Sequence, residues 1–304
     1  MTTDPLILSG PTLVAATADR CGEAATWCPE ENALYWCDVH GARIHRLEAA
    51  AGTVTTWDFE TPVVALSLTR EPGRLLVALA THLIWWWPAT GARQDHGFRL
   101  PNWPAARLND GRADPEGRFW IGSMFNDLGA DAAALEAAAP GHLYSISAGG
   151  DVTTHLSGIK VSNTLCWSAD ATRFYFADSP RNLLRVFDYD GAAGRLSNPR
   201  PHLAGEPHGI PDGSAIDADG YLWNARWGGH AVVRIAPDGR VDRVIAMPAR
   251  NITTCAFGGP GLSTLYVTSA ANDTTADDRL AGALWSLETA VAGLPGHRVA
   301  VGVA

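Results

Sequence analysis

The sequence predicts an all-β chain folded as a six-bladed β-propeller whose blades are four-stranded antiparallel sheets. A turn followed by a short apolar strand recurs six times, each copy has room for four strands, and helical periodicity is nearly absent. Twelve tryptophans and 31 glycines in 304 residues are typical of β structure with many tight turns. A pair of β-sandwiches is the alternative, but it would not require six copies in register. We expect residues 1–304 to form one domain.

The repeated unit is the apolar strand, and one large apolar residue in each copy serves as its marker. Successive markers are separated by 41, 44, 55, 47 and 44 residues. A period of about 45 residues lies in the range of propeller blades and exceeds that of leucine-rich or tetratricopeptide repeats. The markers are Leu34, Leu75, Phe119, Phe174, Tyr221 and Leu265.

Two segments fall outside this regular pattern. The first strand of a propeller usually completes the last blade, so Leu13–Ala16 is expected to join the C-terminal blade. The Ala-rich stretch Asp131–Ala139 lies in the longest gap and is the one helix-friendly segment. Residues 126–140 are therefore interpreted as an insertion, with a lid, an inert surface helix and a subunit contact as the alternatives.

Composition limits the classes of function. With 46% hydrophobic and 18% charged residues the chain can bury a core, and its net charge of −9 argues against nucleic acid or an anionic membrane as partner. We expect no signal peptide and no membrane-spanning segment. The five cysteines are odd in number and lack CxxC spacing, which favours reduced thiols in a cytoplasmic protein. Nothing in the sequence indicates an oligomeric state.

Polar residues recur about ten positions before four of the markers, on what should be the innermost strand of each blade. A propeller directs equivalent positions toward one axis, so these side chains are expected to converge at one mouth of the channel. Two carboxylates and two amide oxygens outline an all-oxygen site for a divalent cation. The other two copies carry Ala65 and Thr254 nearby, which leaves room for a ligand. The four residues are Glu23, Asn109, Asn163 and Asp212.

A simpler interpretation exists for any one of these residues, because an Asp or Asn before a strand is commonly a turn or cap residue. Four polar residues in register, each flanked by apolar sequence, are harder to explain in that way. Burying them unpaired would cost several kcal/mol, so a bound cation or ordered water is expected. The aspartates interpreted as turn residues are Asp114, Asp170, Asp217, Asp219 and Asp238.

Five segments carry a resemblance to a known family, in order along the chain from Glu23 to Ala270. They are Gly22-Glu-Ala-Ala-Thr-Trp27, Arg107-Leu-Asn-Asp-Gly111, Ser162-Asn-Thr-Leu-Cys-Trp167, Pro211-Asp-Gly213 and Asn251-Ile-Thr-Thr-Cys-Ala-Phe-Gly-Gly259. With them the chain resembles the SMP-30/gluconolactonase family, which includes regucalcin and bacterial sugar-lactone lactonases. The motifs are specific for the family and say little about the substrate.

The resemblance implies a divalent-metal-dependent hydrolase that opens an aldonolactone to the aldonic acid. It implies one bound ion, with Ca²⁺, Zn²⁺, Mn²⁺ and Fe²⁺ as candidates. The implied metal ligands are Glu23, Asn163 and Asp212, of which Asp212 is also the implied general base. The implied contacts to the sugar lactone are Arg107, Asn109 and Asp127.

The chain departs from the family pattern beside two of the implied ligands. The family usually has Gly-Pro after the glutamate, where this chain has Ala24-Ala25, and Gly after the asparagine, where it has Thr164. Both changes affect loop shape next to a ligand, so they bear on substrate fit more than on metal binding.

Two other functions stay open: a non-catalytic calcium-binding propeller, and a metal-dependent hydrolase of a different ester or phosphoester. Arg107 and Asn109 beside the metal ligands favour a polyhydroxylated substrate, but they do not distinguish xylono-, arabino-, galactono- and gluconolactone. No Gly-x-Ser-x-Gly elbow is present, which argues against an α/β-hydrolase. His208 is interpreted either as a second base or as a surface loop residue.

Overall fold

A computed structural model describes residues 6–127, 132–275 and 277–302. These residues form six sheets, each of four antiparallel strands, and the fold is the predicted all-β six-bladed β-propeller. The described residues divide into two compact units. Unit 1 lies within Met1–Pro62 and His202–Gly296, and unit 2 within Val63–Pro201 and His297–Ala304. That the whole chain forms one domain stays a prediction.

The strands follow one another in the sheets almost as they do in the sequence. The first strand is β1 (Thr12–Ala15), and the first full sheet is β2 (Gly22–Cys28), β3 (Ala33–Asp38), β4 (Arg43–Glu48) and β5 (Thr53–Asp58). The second is β6 (Val63–Leu68), β7 (Leu75–Leu79), β8 (His82–Trp87) and β9 (Ala92–Arg99). The third is β10 (Ala106–Ala113), β11 (Phe119–Phe125), β12 (Gly141–Ile146) and β13 (Val152–Ile159).

The remaining three sheets continue the series. The fourth is β14 (Ser162–Trp167), β15 (Arg173–Asp178), β16 (Leu183–Asp190) and β17 (Arg195–Ala204). The fifth is β18 (Ile210–Ile216), β19 (Leu222–Trp227), β20 (Ala231–Ile235) and β21 (Val241–Ala246). The last contains β22 (Asn251–Gly258), β23 (Thr264–Ala270) and β24 (Leu284–Glu288). Two 3₁₀ turns connect strands, Ser179–Arg181 between β15 and β16 and Pro260–Leu262 between β22 and β23.

The N-terminal strand completes the last sheet, as predicted. β1 pairs antiparallel with β24, where Thr12 faces Ser286 and Leu13 faces Trp285. The insertion contains helix α1 (Ala132–Ala138), which is short and follows β11. Positions 128–131 of the insertion lie outside the described residues, so the proposal of a lid at 126–140 stays a prediction.

In the first five sheets the fourth strand is the most exposed. Every residue of β3, β6 and β14 is buried, whereas β5 is almost wholly exposed. Strands buried on both faces need near-continuous apolar sequence, which explains why the marker strands do not alternate between apolar and polar residues. Four indoles are fully buried in second and third strands: Trp36, Trp86, Trp120 and Trp223.

Buried carboxylates hold three of these indoles. Asp114 accepts a hydrogen bond from Trp120 Nε1 at 2.8 Å, and Asp217 accepts one from Trp223 Nε1 at 2.9 Å. Asp19 Oδ2 accepts a hydrogen bond from Trp36 Nε1 at 2.9 Å. A buried carboxylate requires such donors to offset its lost hydration.

The interpretation of Asp114 and Asp217 as turn residues is confirmed but incomplete. Asp217 Oδ1 accepts the N–H groups of Asp219 and Tyr221 within its turn, while Oδ2 binds an indole and the Arg234 guanidinium. One carboxylate therefore shapes the turn and joins it to the core of the blade.

The five cysteines are all free thiols in the structure. No helix in the described part of the chain is long and apolar enough to cross a membrane. The cytoplasmic location stays a prediction.

Candidate functional site

The first strand of every sheet is interrupted by a shift of register, and all the predicted metal ligands lie at these shifts. A β-bulge places an extra residue on one strand and re-aims the side chains beside it, and bulges are over-represented next to active sites. The shifts fall between Glu23 and Thr26, Val63 and Ala65, Leu108 and Gly111, Asn163 and Cys166, Pro211 and Ser214, and Ile252 and Cys255.

The register corrects the assumption that the four polar residues share one position. Glu23 and Asn163 are the residues at which their shifts begin, opposite Cys37 and Ala177. Asp212 comes one residue after the start of its own shift, which is Pro211. Asn109 likewise follows Leu108. The number of residues between each polar residue and its marker could not distinguish residues that begin a shift from residues one position later, because a bulge adds a residue that sequence spacing does not reveal.

The two departures from the family pattern both lie inside these bulges. Ala24 has a φ of +57° and Thr164 a φ of +58°, which is the left-handed region that glycine adopts without strain. Glycine after the ligand is therefore the sterically natural residue. Thr164 is the more strained of the two because its side chain is branched at Cβ.

In unit 2 the predicted substrate residues form one ionic and hydrogen-bonded chain. Arg107 binds the Asp127 carboxylate through two bonds, Nε to Oδ1 at 2.5 Å and Nη2 to Oδ2 at 3.0 Å. Arg107 Nη1 also donates to Asn109 Oδ1 at 2.9 Å. The Arg107 side chain is buried, whereas 27% of Asp127 is exposed. A two-pronged guanidinium–carboxylate contact fixes both groups in orientation.

The same network of hydrogen bonds extends to Asn163. Asn109 Nδ2 donates to Asn163 Oδ1 at 3.1 Å and to the Ser162 carbonyl at 3.0 Å. Asn163 Nδ2 donates to Ser179 Oγ at 2.9 Å, and the side chain is buried. These bonds define which way the Asn163 amide faces. Its oxygen keeps a second lone pair for another partner.

In unit 1 the buried Asp212 lies beside a network anchored on β19. Asn224 Nδ2 donates to the Asp212 carbonyl at 3.1 Å and to Ser214 Oγ at 2.9 Å. Arg226 Nη1 holds Asn224 Oδ1 at 2.9 Å, and Arg226 Nη2 binds the Gly209 carbonyl at 2.8 Å. The network therefore fixes the backbone that carries Asp212.

Arg226 is almost completely buried, and this desolvation lowers its pKa to about 10. The charges of Glu206 and Asp212 oppose that shift. The guanidinium therefore stays charged at neutral pH and is coupled electrostatically to the Asp212 carboxylate.

Sequence reasoning missed Asn224 and Arg226. The available signal was the presence of two polar residues at alternating positions of an otherwise apolar strand, Leu222–Trp227, which places both on one face.

Glu23 is half-buried on β2, and its carboxylate accepts the N–H of Ala24 at 3.1 Å. β22 packs against both β2 and β18, the strands that carry Glu23 and Asp212. Thr253 Oγ1 of β22 donates to the Gly22 carbonyl at 2.5 Å, directly before Glu23. The next residue of β22, Thr254, packs closely against Gly213, directly after Asp212.

His208 lies on the loop before β18 and is 46% exposed. Its Nδ1 contacts Glu206 Oε1 at 2.5 Å. This placement matches the surface-loop interpretation.

The chemistry of the predicted donor set suits a hard divalent cation, because carboxylate and amide oxygens are the ligands that such cations prefer. Among the described residues no group of three or more His, Cys, Asp or Glu side chains is placed to hold a metal. The predicted ligands include only two carboxylates, those of Glu23 and Asp212, and the third ligand is the Asn163 amide. Convergence of Glu23, Asn163 and Asp212 on one ion stays a prediction.

A family model described as "SMP-30/Gluconolactonase/LRE-like region" matches residues 21–271. The chain belongs to the SMP-30/gluconolactonase/LRE-like family. The match spans both units and includes every predicted site residue, and it confirms the resemblance inferred from the five motifs.

Several known proteins resemble the chain over nearly its full length. An L-arabinolactonase of Azospirillum brasilense is 38% identical over 297 residues, which is 95% of each chain. A pentonolactonase of Haloferax volcanii is 33% identical over 299 residues, 94% of this chain and 97% of the relative. The crystal structure of a calcium-binding regucalcin from Agrobacterium tumefaciens matches with a TM-score of 0.87 at 29% identity, covering 95% of this chain and 97% of that one.

Proposed function

We propose that this chain is a sugar-lactone lactonase, which hydrolyses an aldonolactone to the aldonic acid. The observation that carries the proposal is the 38% identity to an arabinolactonase over 95% of both chains. The ordered chain from Asp127 through Arg107 and Asn109 to Asn163 supports it, because a polyhydroxylated substrate needs several fixed polar partners. Pentonolactones are the first substrates to test, since two relatives carry pentose-lactone names.

The metal ligands in this proposal are Glu23, Asn163 and Asp212, which hold one divalent cation. Ca²⁺, Zn²⁺, Mn²⁺ and Fe²⁺ are the candidates, and the all-oxygen donor set favours the harder ions. When bound, such a cation supplies Lewis-acid polarisation of the lactone carbonyl and of the oxyanion that develops there.

Asp212 acts as the general base. Its carboxylate accepts a proton from the attacking water, whose oxygen bonds to the carbonyl carbon. The bond between the carbonyl carbon and the ring oxygen then breaks, and the ring oxygen leaves as a hydroxyl by taking up the proton that Asp212 accepted, which restores the Asp212 carboxylate. The buried Arg226–Asn224 network holds the Asp212 backbone, so the base keeps its orientation through the reaction.

Arg107, Asn109 and Asp127 orient the substrate. Most Arg107 donors are already engaged by Asp127, Asn109 and the Leu108 carbonyl, so Arg107 mainly holds its neighbours in position. Asp127 is partly exposed and can accept hydrogen bonds from sugar hydroxyls.

A second candidate function is calcium binding without catalysis, which the similarity to a calcium-binding regucalcin favours. A third is metal-dependent hydrolysis of another ester or phosphoester, because a cation site alone does not select the electrophile.

The deciding experiment measures acid release from a panel of aldonolactones by the purified protein after chelation and after return of each candidate cation. Metal-dependent hydrolysis of at least one pentonolactone above the uncatalysed rate is expected. Binding of calcium without hydrolysis of any lactone would favour the second candidate, and turnover only of other esters the third.

Asp212→Asn should lower kcat at least ~10²-fold, because removal of a positioned general base typically costs two to four orders of magnitude. The matched control is Asp219→Asn, an exposed turn aspartate of the same hairpin, which should retain wild-type kcat. An active Asp212→Asn variant would refute the assignment of Asp212 as base.

A further inference from the structure

The Asp110 carboxylate of β10 binds the backbone of the neighbouring strand β14. Its Oδ2 accepts the N–H of Leu165 at 3.4 Å, and the carboxylate is also hydrogen-bonded by the N–H groups of Thr164 and Gly111. Asp110 is half-buried and has no counterpart among the residues that the family resemblance implies for metal or substrate. Its bonds meet β14 immediately after Asn163.

Asn109 binds the same strand, β14, at the two residues that precede those bound by Asp110. Its Nδ2 binds the Ser162 carbonyl and the Asn163 amide oxygen. Two consecutive residues of β10 therefore hold residues 162–165 of β14. Asn109 binds the Ser162 carbonyl and the Asn163 side-chain oxygen, and Asp110 binds backbone N–H groups.

The local backbone explains why such support is needed. Thr164 has a φ of +58°, a conformation that a β-branched residue keeps only when its surroundings impose it. The register between β14 and β15 shifts between Asn163 and Cys166, so the N–H groups inside the bulge leave the regular ladder. Buried N–H groups need acceptors, and the Asp110 carboxylate provides them.

We infer that Asp110 is a positioning residue for the metal site, which fixes the strained bulge after Asn163 and so sets the direction of the Asn163 amide oxygen. This inference rests on the proposed role of Asn163 as a metal ligand. Asp110 acts through the backbone N–H groups of β14 that it binds, and Asn109 shares the positioning task through Ser162 and Asn163.

The test measures binding of Ca²⁺ and of Mn²⁺ by isothermal titration calorimetry with wild type and Asp110→Asn. The amide removes the charge and places an NH₂ group against backbone donors. Loss of a partner that orients a ligand typically weakens metal affinity 10–100-fold, and that range is expected for Kd here. The thermal midpoint Tm is recorded alongside.

The matched control is Asp170→Asn at the far end of the same β14–β15 hairpin. Asp170 Oδ1 also accepts a backbone N–H, that of Thr172 at 3.1 Å, so the control removes a comparable turn carboxylate. Its Kd should equal that of wild type. A lowered Tm with unchanged Kd for Asp110→Asn would show a merely structural role and overturn the inference.

A second variant tests the link to the strained backbone. Thr164→Gly in the Asp110→Asn background should recover several-fold of the lost affinity, because glycine adopts this φ without support. Equal effects of Thr164→Gly with and without Asp110 would contradict the inference. If Asp110→Asn does not fold, Asp110→Glu, which keeps the charge and displaces the oxygens, should weaken Kd, and an unchanged Kd would overturn the inference.

The wild-type titration separates this inference from the proposed function. If wild type binds neither cation, the assignment of Asn163 and the inference fall together. If wild type binds and Asp110→Asn binds equally well, the inference alone fails, and the lactone assay still decides the proposed activity.

Discussion

The bulges that carry Glu23 and Asn163 begin in the same way but have different support. Both begin at the proposed ligand, and both place the following residue at a φ close to +58°. The Asn163 amide is bound on both sides, by Asn109 and by Ser179. The Glu23 carboxylate accepts the N–H of its own neighbour, Ala24.

The difference follows from the chemistry of the two side chains. An amide has one oxygen and one NH₂ group, so it can serve as a metal ligand only when the oxygen faces the ion. A carboxylate has two equivalent oxygens and needs no such selection. Orientation of Asn163 must therefore come from its neighbours, whereas Glu23 mainly requires that its backbone be held in place.

In unit 1 the backbone near the proposed ligands is held by β22. Thr253 binds the carbonyl before Glu23, and Thr254 packs on Gly213 after Asp212. In unit 2 the corresponding role falls to Asn109 and Asp110 of β10. Three substitutions test whether the backbone is held in this way.

The largest effect is expected at Gly213. A Cβ added there would lie 2.1 Å from Thr254 Oγ1 and 2.4 Å from Thr254 Cβ, so β18 and β22 must separate. Gly213→Ala should lower the free energy of unfolding by about 3 kcal/mol, the upper range for overpacking a close contact. Equilibrium unfolding in urea measures this free energy. The control is Gly10→Ala, where no atom lies within 4 Å and the cost should be near zero. Equal stability of the two variants would refute the close packing.

An intermediate effect is expected from Thr253→Val, which keeps the shape of the side chain and removes the hydroxyl. The Gly22 carbonyl then loses a buried donor and Thr268 Oγ1 loses a buried partner, so the free energy of unfolding should fall by about 1–2 kcal/mol. The exposed Thr90 donates to the Trp87 carbonyl at 3.5 Å and provides the control, Thr90→Val. If the two valine variants unfold at the same urea concentration, Thr253 is not a support of the Glu23 strand.

The smallest effect on stability is expected from replacing Ala24 or Thr164, which both have a left-handed φ, by glycine. Ala24→Gly should raise the free energy of unfolding by roughly 0.5 kcal/mol, because relief of a strain of about 1–2 kcal/mol exceeds the added entropy of the unfolded chain. Thr164→Gly should give less, since Thr164 is fully buried and loses packing as the strain is relieved. A larger gain for Thr164→Gly than for Ala24→Gly would show that its packing contributes little.

Much of the fold was predictable from local patterns. The six marker residues lie at or beside the second strand of each sheet, and the N-terminal strand joins the last sheet as expected. These features repeat or follow from turn chemistry, so each copy reinforces the prediction made from the others. The interpretation of Asp114 and Asp217 as turn residues was correct but partial, because their bonds to distant indoles are invisible in sequence spacing.

The predicted site was a list of residues rather than a geometry. Spacing located Glu23, Asn109, Asn163 and Asp212 on first strands, but it could not show the bulges that separate them into two register classes. It also missed Asp110, whose bonds run to a strand more than fifty residues away in the sequence.

The repeat, the four-stranded blades and the family of this chain were all readable from its residues, because periodicity and motifs are local properties of the chain. The orientation of Asn163, the ion pair between Arg107 and Asp127, and the bonds of Asp110 to the bulge at Thr164 emerge only in the folded protein. Those contacts join residues far apart in the sequence, and their energies depend on burial and hydrogen-bond direction, which arise only when the strands pack together.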